Sequence, residues 1–384
     1  MPEWALGGRR EGIFGRRGLI FMTQNKYLLI VLIIMLIGSL VWHNYHIVPN
    51  PVTLLTKQPS TTLSSLSNPD DWAMMGEDFN RTRYIPNPPQ VPHGRLLWSS
   101  DPGFLRGISL PSIVDDNLYV GSYFNLYNID ANTGKILWEK NMSGLINSSP
   151  TVAGDHVYVG STDTIFWALD RFTGKTKWTF RTGNYISSSA LVSNGRLFVG
   201  SGDHYMYALD AETGKMLWRF RTDDLITSAP SLKDNVLYFT SNDKSLYSVD
   251  SRTGQARMRF RTRGTANFEP AVVANGLVYI ASASGILTAK AGIREIPARW
   301  QFEKTWRLLW LRWGWPIPRP TAQHGTSWRF NPENYRSISS APAVTKDAIY
   351  VGDSGGYLYS RDALDSSEIW TFKAEGGIRA APLV

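Results

Sequence analysis

The 384-residue sequence contains no cysteine. Disulfide bonds, thiolate catalysis and metal sites with cysteine ligands are therefore excluded, and so is a lipid anchor attached to an N-terminal cysteine. The lack of cysteine does not identify a cellular compartment, because it is compatible with oxidising and with reducing surroundings.

Recognisable catalytic motifs are also lacking. The sequence has no His-Glu-x-x-His zinc motif, no glycine-rich phosphate loop and no evident Ser-His-Asp set, which are the patterns that indicate hydrolases and nucleotide-dependent enzymes. Helical periodicity is weak between residues 107 and 290. The sequence therefore predicts neither a standard catalytic centre nor a helical domain in this region.

Positive charge is concentrated in two segments. The net charge is +8, of which residues 1–26 contribute +3 and residues 291–330 contribute +5, so the rest of the sequence is neutral. A nucleic-acid-binding domain needs a basic surface on its folded part, and we therefore expect no nucleic-acid partner.

A nine-residue motif recurs at a spacing of 40 residues. It contains an aspartate, then Thr-Gly-Lys, then a tryptophan, and the fourth copy has glutamine for lysine and methionine for tryptophan. The copies are Asp130, Gly134 and Trp138; Asp170, Gly174 and Trp178; Asp210, Gly214 and Trp218; and Asp250 and Gly254. A fixed period of this length indicates one supersecondary unit that is repeated.

Each repeat predicts four short strands. Residues 148–180 contain four runs of apolar, aromatic and β-branched residues that are separated by Gly, Asp, Ser and Thr, which is typical of antiparallel strands joined by tight turns. The predicted fold class is all-β, with a β-propeller of four-stranded antiparallel blades. We expect the glycines of the motif to adopt positive φ and its aspartates to accept turn N–H groups. A metal site is disfavoured, because each aspartate lies in a separate repeat.

The motif resembles the tryptophan-docking motif of the pyrroloquinoline-quinone (PQQ) repeat family of β-propellers. The stretch with Trp72, Gly76, Asp78 and Arg81, followed by Leu96-Leu97-Trp98, resembles the entry segment of such proteins. The resemblance implies that each motif tryptophan docks onto the next blade. It also implies two functional branches, namely quinoprotein dehydrogenases with PQQ and Ca²⁺ at the ring centre, and a non-enzymatic branch that includes the propeller lipoprotein of outer-membrane-protein assembly.

Six blades and part of a seventh are predicted. Residues 381–384 match only a first strand, and residues 95–98 are suited to a last strand of the same blade. Two interpretations stay open, a truncated gene product or an irregularly closed ring, and the exposed edges of an open blade favour truncation.

The hairpin that ends blade 5 contains an insert at about residues 291–325. It is rich in tryptophan and arginine, and its candidate docking residues are Trp306, Arg307, Trp310, Arg312, Trp313 and Trp315. These residue types favour membrane interfaces and protein contacts. The alternative is that the insert packs across the propeller and buries its tryptophans.

An apolar segment precedes the repeats. Residues 27–48 predict a transmembrane signal anchor, with the basic residues 1–26 in the cytoplasm and residues 49–70 as a flexible linker to the propeller at 71–384. A cleaved signal peptide is the competing interpretation. Met22 is an alternative start to Met1.

The predicted function is that of a non-catalytic interaction or scaffold module in envelope protein assembly. The module is expected on the periplasmic side of the cytoplasmic (inner) membrane, with another envelope protein as partner and without a cofactor. The alternative is a PQQ-dependent quinoprotein dehydrogenase, or a degenerate relative of one, that binds PQQ with Ca²⁺.

Overall fold

In a computed structural model the chain divides into two compact units, residues 1–48 and 49–384. The described residues are 30–31, 33–35, 51–65, 72–76, 78–83, 96–99, 109–262, 269–282, 285–291, 297–314, 326–332, 337–338 and 340–384. Most of the predicted anchor, residues 27–48, lies outside them. Among the described residues, no helix has the length and apolar character needed to span a membrane.

The second unit contains six four-stranded sheets, which we call blades 1 to 6. Blades 1 to 3 comprise β1 (Ser112–Val114), β2 (Asn117–Ser122), β3 (Asn125–Asp130), β4 (Ile136–Asn141), β5 (Thr151–Ala153), β6 (His156–Gly160), β7 (Ile165–Asp170), β8 (Thr176–Arg181), β9 (Leu191–Ser193), β10 (Arg196–Gly200), β11 (Tyr205–Asp210) and β12 (Met216–Arg221). Blades 4 to 6 comprise β13 (Ser231–Lys233), β14 (Val236–Ser241), β15 (Ser245–Asp250), β16 (Ala256–Arg261), β17 (Val272–Ala274), β18 (Leu277–Ser282), β19 (Gly285–Lys290), β20 (Thr326–Phe330), β21 (Ala343–Val344), β22 (Ala348–Gly352), β23 (Tyr357–Asp362) and β24 (Glu368–Lys373).

The strands of each blade are antiparallel and follow one another in chain order. The short first strands are the inner ones, because neighbouring blades approach each other there and β5 and β9 are buried along their whole length. The fourth strands are the outer ones, and β8 is largely exposed. The prediction of an all-β fold with four-stranded antiparallel blades is confirmed for these six sheets.

The apolar core lies between neighbouring blades rather than within one sheet. Phe198 and Trp218 of blade 3 form one buried cluster with Leu237 and Phe239 of blade 4. This arrangement follows from the sequence, since the middle strands are apolar at almost every position and must be covered on both faces. The free energy of burial therefore stabilises contacts between repeats as much as the repeats themselves.

Two helices accompany the blades in the described part of the chain. Helix α1 (Pro51–Thr56) is short, and helix α2 (Pro297–Arg312) lies within the insert of blade 5, beside β16. Proline at the first position of α2 suits a helix start, and Gly314, with φ 79°, suits the residue just beyond its end.

Residues 72–76 and 78–83 contact the first strands of the blades and form a segment that we call the hub. Main-chain oxygens of Ala73, Phe79, Asn80 and Thr82 accept hydrogen bonds from the first strands of blades 2, 4, 5 and 6, at 2.7–2.9 Å. Trp72 exchanges two such bonds of 2.8 Å with blade 1. Because the other edge of each first strand is paired within its own sheet, these bonds come from the axial side. The hub thereby satisfies N–H groups that the ring would otherwise leave unpaired.

Arg81 is the one fully buried arginine of the described residues, with 0% of its surface exposed. Its guanidinium donates to the main-chain oxygens of Ala190 at 3.1 Å and Pro230 at 3.0 Å, and also to that of Met75. Burial lowers the pKa of Arg81 to about 9, helped by the nearby charge of Arg83. The group is still protonated at neutral pH, so its hydrogen bonds to blades 3 and 4 are charge-assisted.

Candidate functional site

The repeated motif forms the same tight turn in the first four blades. In blade 2, one carboxylate oxygen of Asp170 accepts the main-chain N–H of Thr173 at 2.9 Å and the hydroxyl of Thr173 at 2.8 Å. Gly174 follows with φ 68°, a value that costs residues with a side chain free energy. The hydrogen bonds from Thr173 lower the pKa of Asp170 below its usual range. The carboxylate is therefore charged, and it accepts hydrogen bonds within its own turn.

Each motif tryptophan contacts the turn of the following blade. The indole N–H of Trp138 donates to the main-chain oxygen of Arg171 at 2.8 Å, and its ring covers Gly174 so closely that an added Cβ would lie 2.9 Å away. The same contact recurs with indole donors Trp98, Trp178 and Trp218 and main-chain acceptors Ala131, Ala211 and Ser251, over Gly134, Gly214 and Gly254. Trp98 thus docks on blade 1, in the place that the sequence predicts for a last strand.

The pattern changes in blades 4 to 6. Met258 replaces the tryptophan of blade 4 and is buried, while Trp328 of blade 5 donates to the main-chain oxygen of Ala363 at 3.1 Å. In the turn of blade 6, Ser366 takes the position of glycine and has φ 70°. Trp370 of blade 6 is 41% exposed, and no blade follows it in the described part of the chain. The outer strand β24 is exposed throughout.

The buried aspartates Asp210 and Asp250 have further partners beside the threonine of their own turn. Burial alone would raise the pKa of Asp250, but hydrogen bonds from Arg257 and Arg252 outweigh it and lower the pKa. Asp210 holds the main-chain N–H of Ser60 and, at 2.8 Å, the hydroxyl of Ser60. These hydrogen bonds likewise offset burial and lower the pKa of Asp210. Both carboxylates therefore carry a charge that is already used in structural contacts.

Residues 58–65, part of the predicted flexible linker, lie against blades 2 and 3. The main-chain oxygen of Leu63 accepts the N–H of Gly195 at 2.7 Å, and Gln58 accepts a hydrogen bond from Arg196 at 3.1 Å. These contacts lie at the end of the blades that carries the motif turns, which we call the docking-turn face. The sequence does not predict this contact, since Ser- and Thr-rich stretches also form free linkers.

The insert of blade 5 also leaves the ring at the docking-turn face, after Lys290. Helix α2 exposes Trp306, 50% accessible, together with Leu308 and Leu309, and the turn after the helix exposes Trp313, 66% accessible. Trp310 lies between the two exposed indoles, with ring centroids 5.6 Å from Trp306 and 5.7 Å from Trp313 in edge-to-face geometry. Trp306, Leu309, Trp310 and Trp313 lie on one side and form the surface that we call the indole face.

The two arginines among the candidate docking residues differ in burial. Arg307 is half-buried, whereas Arg312 is exposed beside the indole face. Trp315 lies outside the described residues. The structure thus brings together five of the six predicted docking residues on one helix and its terminal turn.

An exposed aromatic pair on the opposite end of blade 1 was not predicted from the sequence. Tyr123 and Phe124 form the β2–β3 turn, with ring centroids 5.9 Å apart. The equivalent turns in blades 2 to 4 contain Asp163, Asp203 and Asp243, whose carboxylates accept N–H groups of their own turns. The sequence does show that blade 1 lacks the aspartate that the other three repeats have at this turn, and this difference could have indicated the aromatic pair.

The carboxylates of the described residues do not fit a calcium site for PQQ. Calcium needs several oxygen ligands at one point, and within the described residues no three Asp, Glu or His side chains come together in that way. The repeated aspartates are spread around the unit, one to a turn.

Comparison with known proteins agrees with this architecture. The family model described as outer membrane protein assembly factor BamB, a PQQ-repeat model, matches residues 90–191 and 181–292. Together the matches cover more than half of the chain. The fold and the docking motif define a β-propeller of repeated blades, and the chain belongs to the PQQ-repeat family of such propellers.

Solved structures share the fold at low sequence identity. BamB from Moraxella catarrhalis aligns with a TM-score of 0.57 and 19% identity, over 72% of this chain and 79% of that one. Quinohemoprotein alcohol dehydrogenase from Comamonas testosteroni aligns with a TM-score of 0.54 and 16% identity, over 82% of this chain and 74% of that one. Quinohemoprotein alcohol dehydrogenase ADHIIG from Pseudomonas putida HK5 gives the same TM-score and identity, over 83% and 74%. No curated protein sequence matches significantly.

The docked tryptophans should stabilise the ring far more than the exposed one. We expect Trp178→Ala to lower the free energy of unfolding by about 3 kcal/mol, because it removes a packed indole and its hydrogen bond to Ala211. Trp370→Ala changes the same motif position where the indole is largely exposed, and should cost less than about 1 kcal/mol. Urea unfolding followed by circular dichroism measures both, and equal losses would contradict the docking role.

Proposed function

We propose that the protein is a membrane-anchored, extracytoplasmic propeller that acts as a non-catalytic interaction module in envelope protein assembly. The observation that carries this proposal is how the polar groups of the repeats are used. The motif aspartates bind their own turns, and four of the described tryptophans at motif positions donate to the next blade. The described repeats thus provide a scaffold, and a rigid ring with two loop-bearing ends is a common platform for partners.

Membership of the PQQ-repeat family supports the envelope setting. The matching family model is described as an outer membrane protein assembly factor, and BamB is among the structural neighbours. The partner that we propose is therefore another protein of the envelope. The predicted anchor at residues 27–48 would hold the propeller at the periplasmic side of the inner membrane, which fits the excess of basic residues before it.

A quinoprotein dehydrogenase is the second candidate function, because quinohemoprotein alcohol dehydrogenases share the fold. The scaffold proposal predicts that PQQ with Ca²⁺ causes no saturable change in the absorbance spectrum of the purified protein. It also predicts no dye-linked oxidation of alcohols or sugars. A known quinoprotein dehydrogenase, stripped of its cofactor and reconstituted in parallel, is the control. Stoichiometric PQQ binding with turnover would favour the dehydrogenase.

The proposed topology can be tested with single cysteines, since the chain has none of its own. Phe172→Cys lies in an exposed turn of the propeller, and Glu11→Cys lies in the basic N-terminal segment. In intact spheroplasts we expect a membrane-impermeant maleimide to label Phe172→Cys, and to label Glu11→Cys only after the membrane is broken. The protein should also stay in the membrane pellet at alkaline pH. The opposite labelling pattern, or release of the protein by alkali, would contradict the anchored topology.

A further inference from the structure

The indole face of α2 presents apolar groups to solvent at helical spacing. Trp306, Leu309 and Trp313 follow one another by three and four residues, so they lie on the same side of the helix. All three are exposed, whereas Leu311 is only half exposed. A surface helix normally turns its apolar side toward the core, and an outward apolar side indicates a contact with another surface.

The charge around the helix indicates which kind of surface the helix contacts. Residues 291–330 contain seven basic and two acidic residues, whereas the repeats are neutral. Arg312 is exposed beside the exposed Leu308 and Trp313. Tryptophan with leucine on one side and arginine at its border is the composition of helices that lie in the headgroup region of a membrane. Anionic headgroups complement the arginines.

The position of the insert on the ring agrees with this surface. The insert begins after Lys290 at the docking-turn face, and Ala291 donates its N–H to the main-chain oxygen of Gly276 at 2.7 Å in the β17–β18 turn. The N-terminal stretch 58–65 meets the ring at the same face, through Asp210 and Gly195. The chain therefore enters the propeller on the side from which the insert leaves it.

From these observations we propose that the indole face of α2 docks on the surface of an anionic lipid bilayer. The indoles of Trp306 and Trp313 and the side chain of Leu309 enter the headgroup boundary, while Arg312 binds lipid phosphate. Since a single anchor leaves a propeller free to rotate, this second contact fixes the docking-turn face toward the membrane and leaves the opposite face open to partners. The proposal deepens the proposed function, because it rests on the envelope location.

The test uses the full-length chain with one added cysteine. Leu309→Cys on the indole face is labelled with the fluorophore NBD, and Tyr123→Cys on the opposite face is the matched control. Both proteins are reconstituted into nanodiscs of neutral phosphatidylcholine or of phosphatidylcholine with 30% phosphatidylglycerol. Lipids that carry a spin label at the headgroup boundary report contact by quenching the fluorescence. Thermal melting first verifies that both variants are folded.

We expect strong quenching at residue 309 in anionic discs, weaker quenching in neutral discs, and little at residue 123 in either. In the anionic discs, Arg312→Glu should reduce the quenching at residue 309 toward the level of neutral discs, because it replaces attraction by repulsion. High salt should have a similar effect on the wild-type helix, since it screens the attraction.

Several results would overturn the docking. One is the absence of quenching at residue 309 in both kinds of disc, and another is equal quenching in both. A second measurement is made without lipid. If the label at residue 309 is then protected from quenching by iodide and the mass in solution is doubled, a second copy of the chain is the occupant instead. The assay needs neither PQQ nor a partner protein, so a negative result rejects the docking alone and leaves the proposed function to its own tests.

Discussion

The contact between an indole and the turn of the next blade is the interaction on which the ring depends. It combines a hydrogen bond from the tryptophan N–H with close packing of the indole over the turn glycine, as Trp138 and Gly174 illustrate. Because the contact joins successive repeats, the stability of each blade depends on its neighbours. The motif is therefore a property of the ring and not of one blade.

A second set of bonds acts from the axis. The inner strands of a propeller have one paired edge and one edge that faces the centre, where unpaired N–H groups would cost free energy. Residues 72–76 and 78–83 supply acceptors to five blades, and Arg81 ties blades 3 and 4 to the same segment. Outer contacts between neighbours and inner bonds to a common hub together hold the sheets in place.

The repeat made most of the fold predictable from the sequence. The 40-residue period sets the number of strands per blade, and the Thr-Gly turns mark where the third strand ends and the fourth begins. The hub was harder to predict from the sequence, because its bonds use main-chain atoms and join residues such as Thr82 and Val344 that are far apart in the chain. The contact of Ser60 with Asp210 also joins residues far apart in the chain, and the sequence did not predict it. The composition of the insert marked it as unusual, but only the structure shows that α2 turns its indoles outward.

The repeats thus pack against one another and against the hub, while α2 presents exposed side chains to the outside. Native-state hydrogen exchange tests the structural part of this account most directly, at the first-strand amides of Val152, Leu232, Val273 and Val344, which donate to the hub. The account predicts that these four amides exchange as slowly as those at the centre of β6 and β10, through global unfolding. Exchange as fast as in exposed turns, with the middle strands still protected, would contradict it.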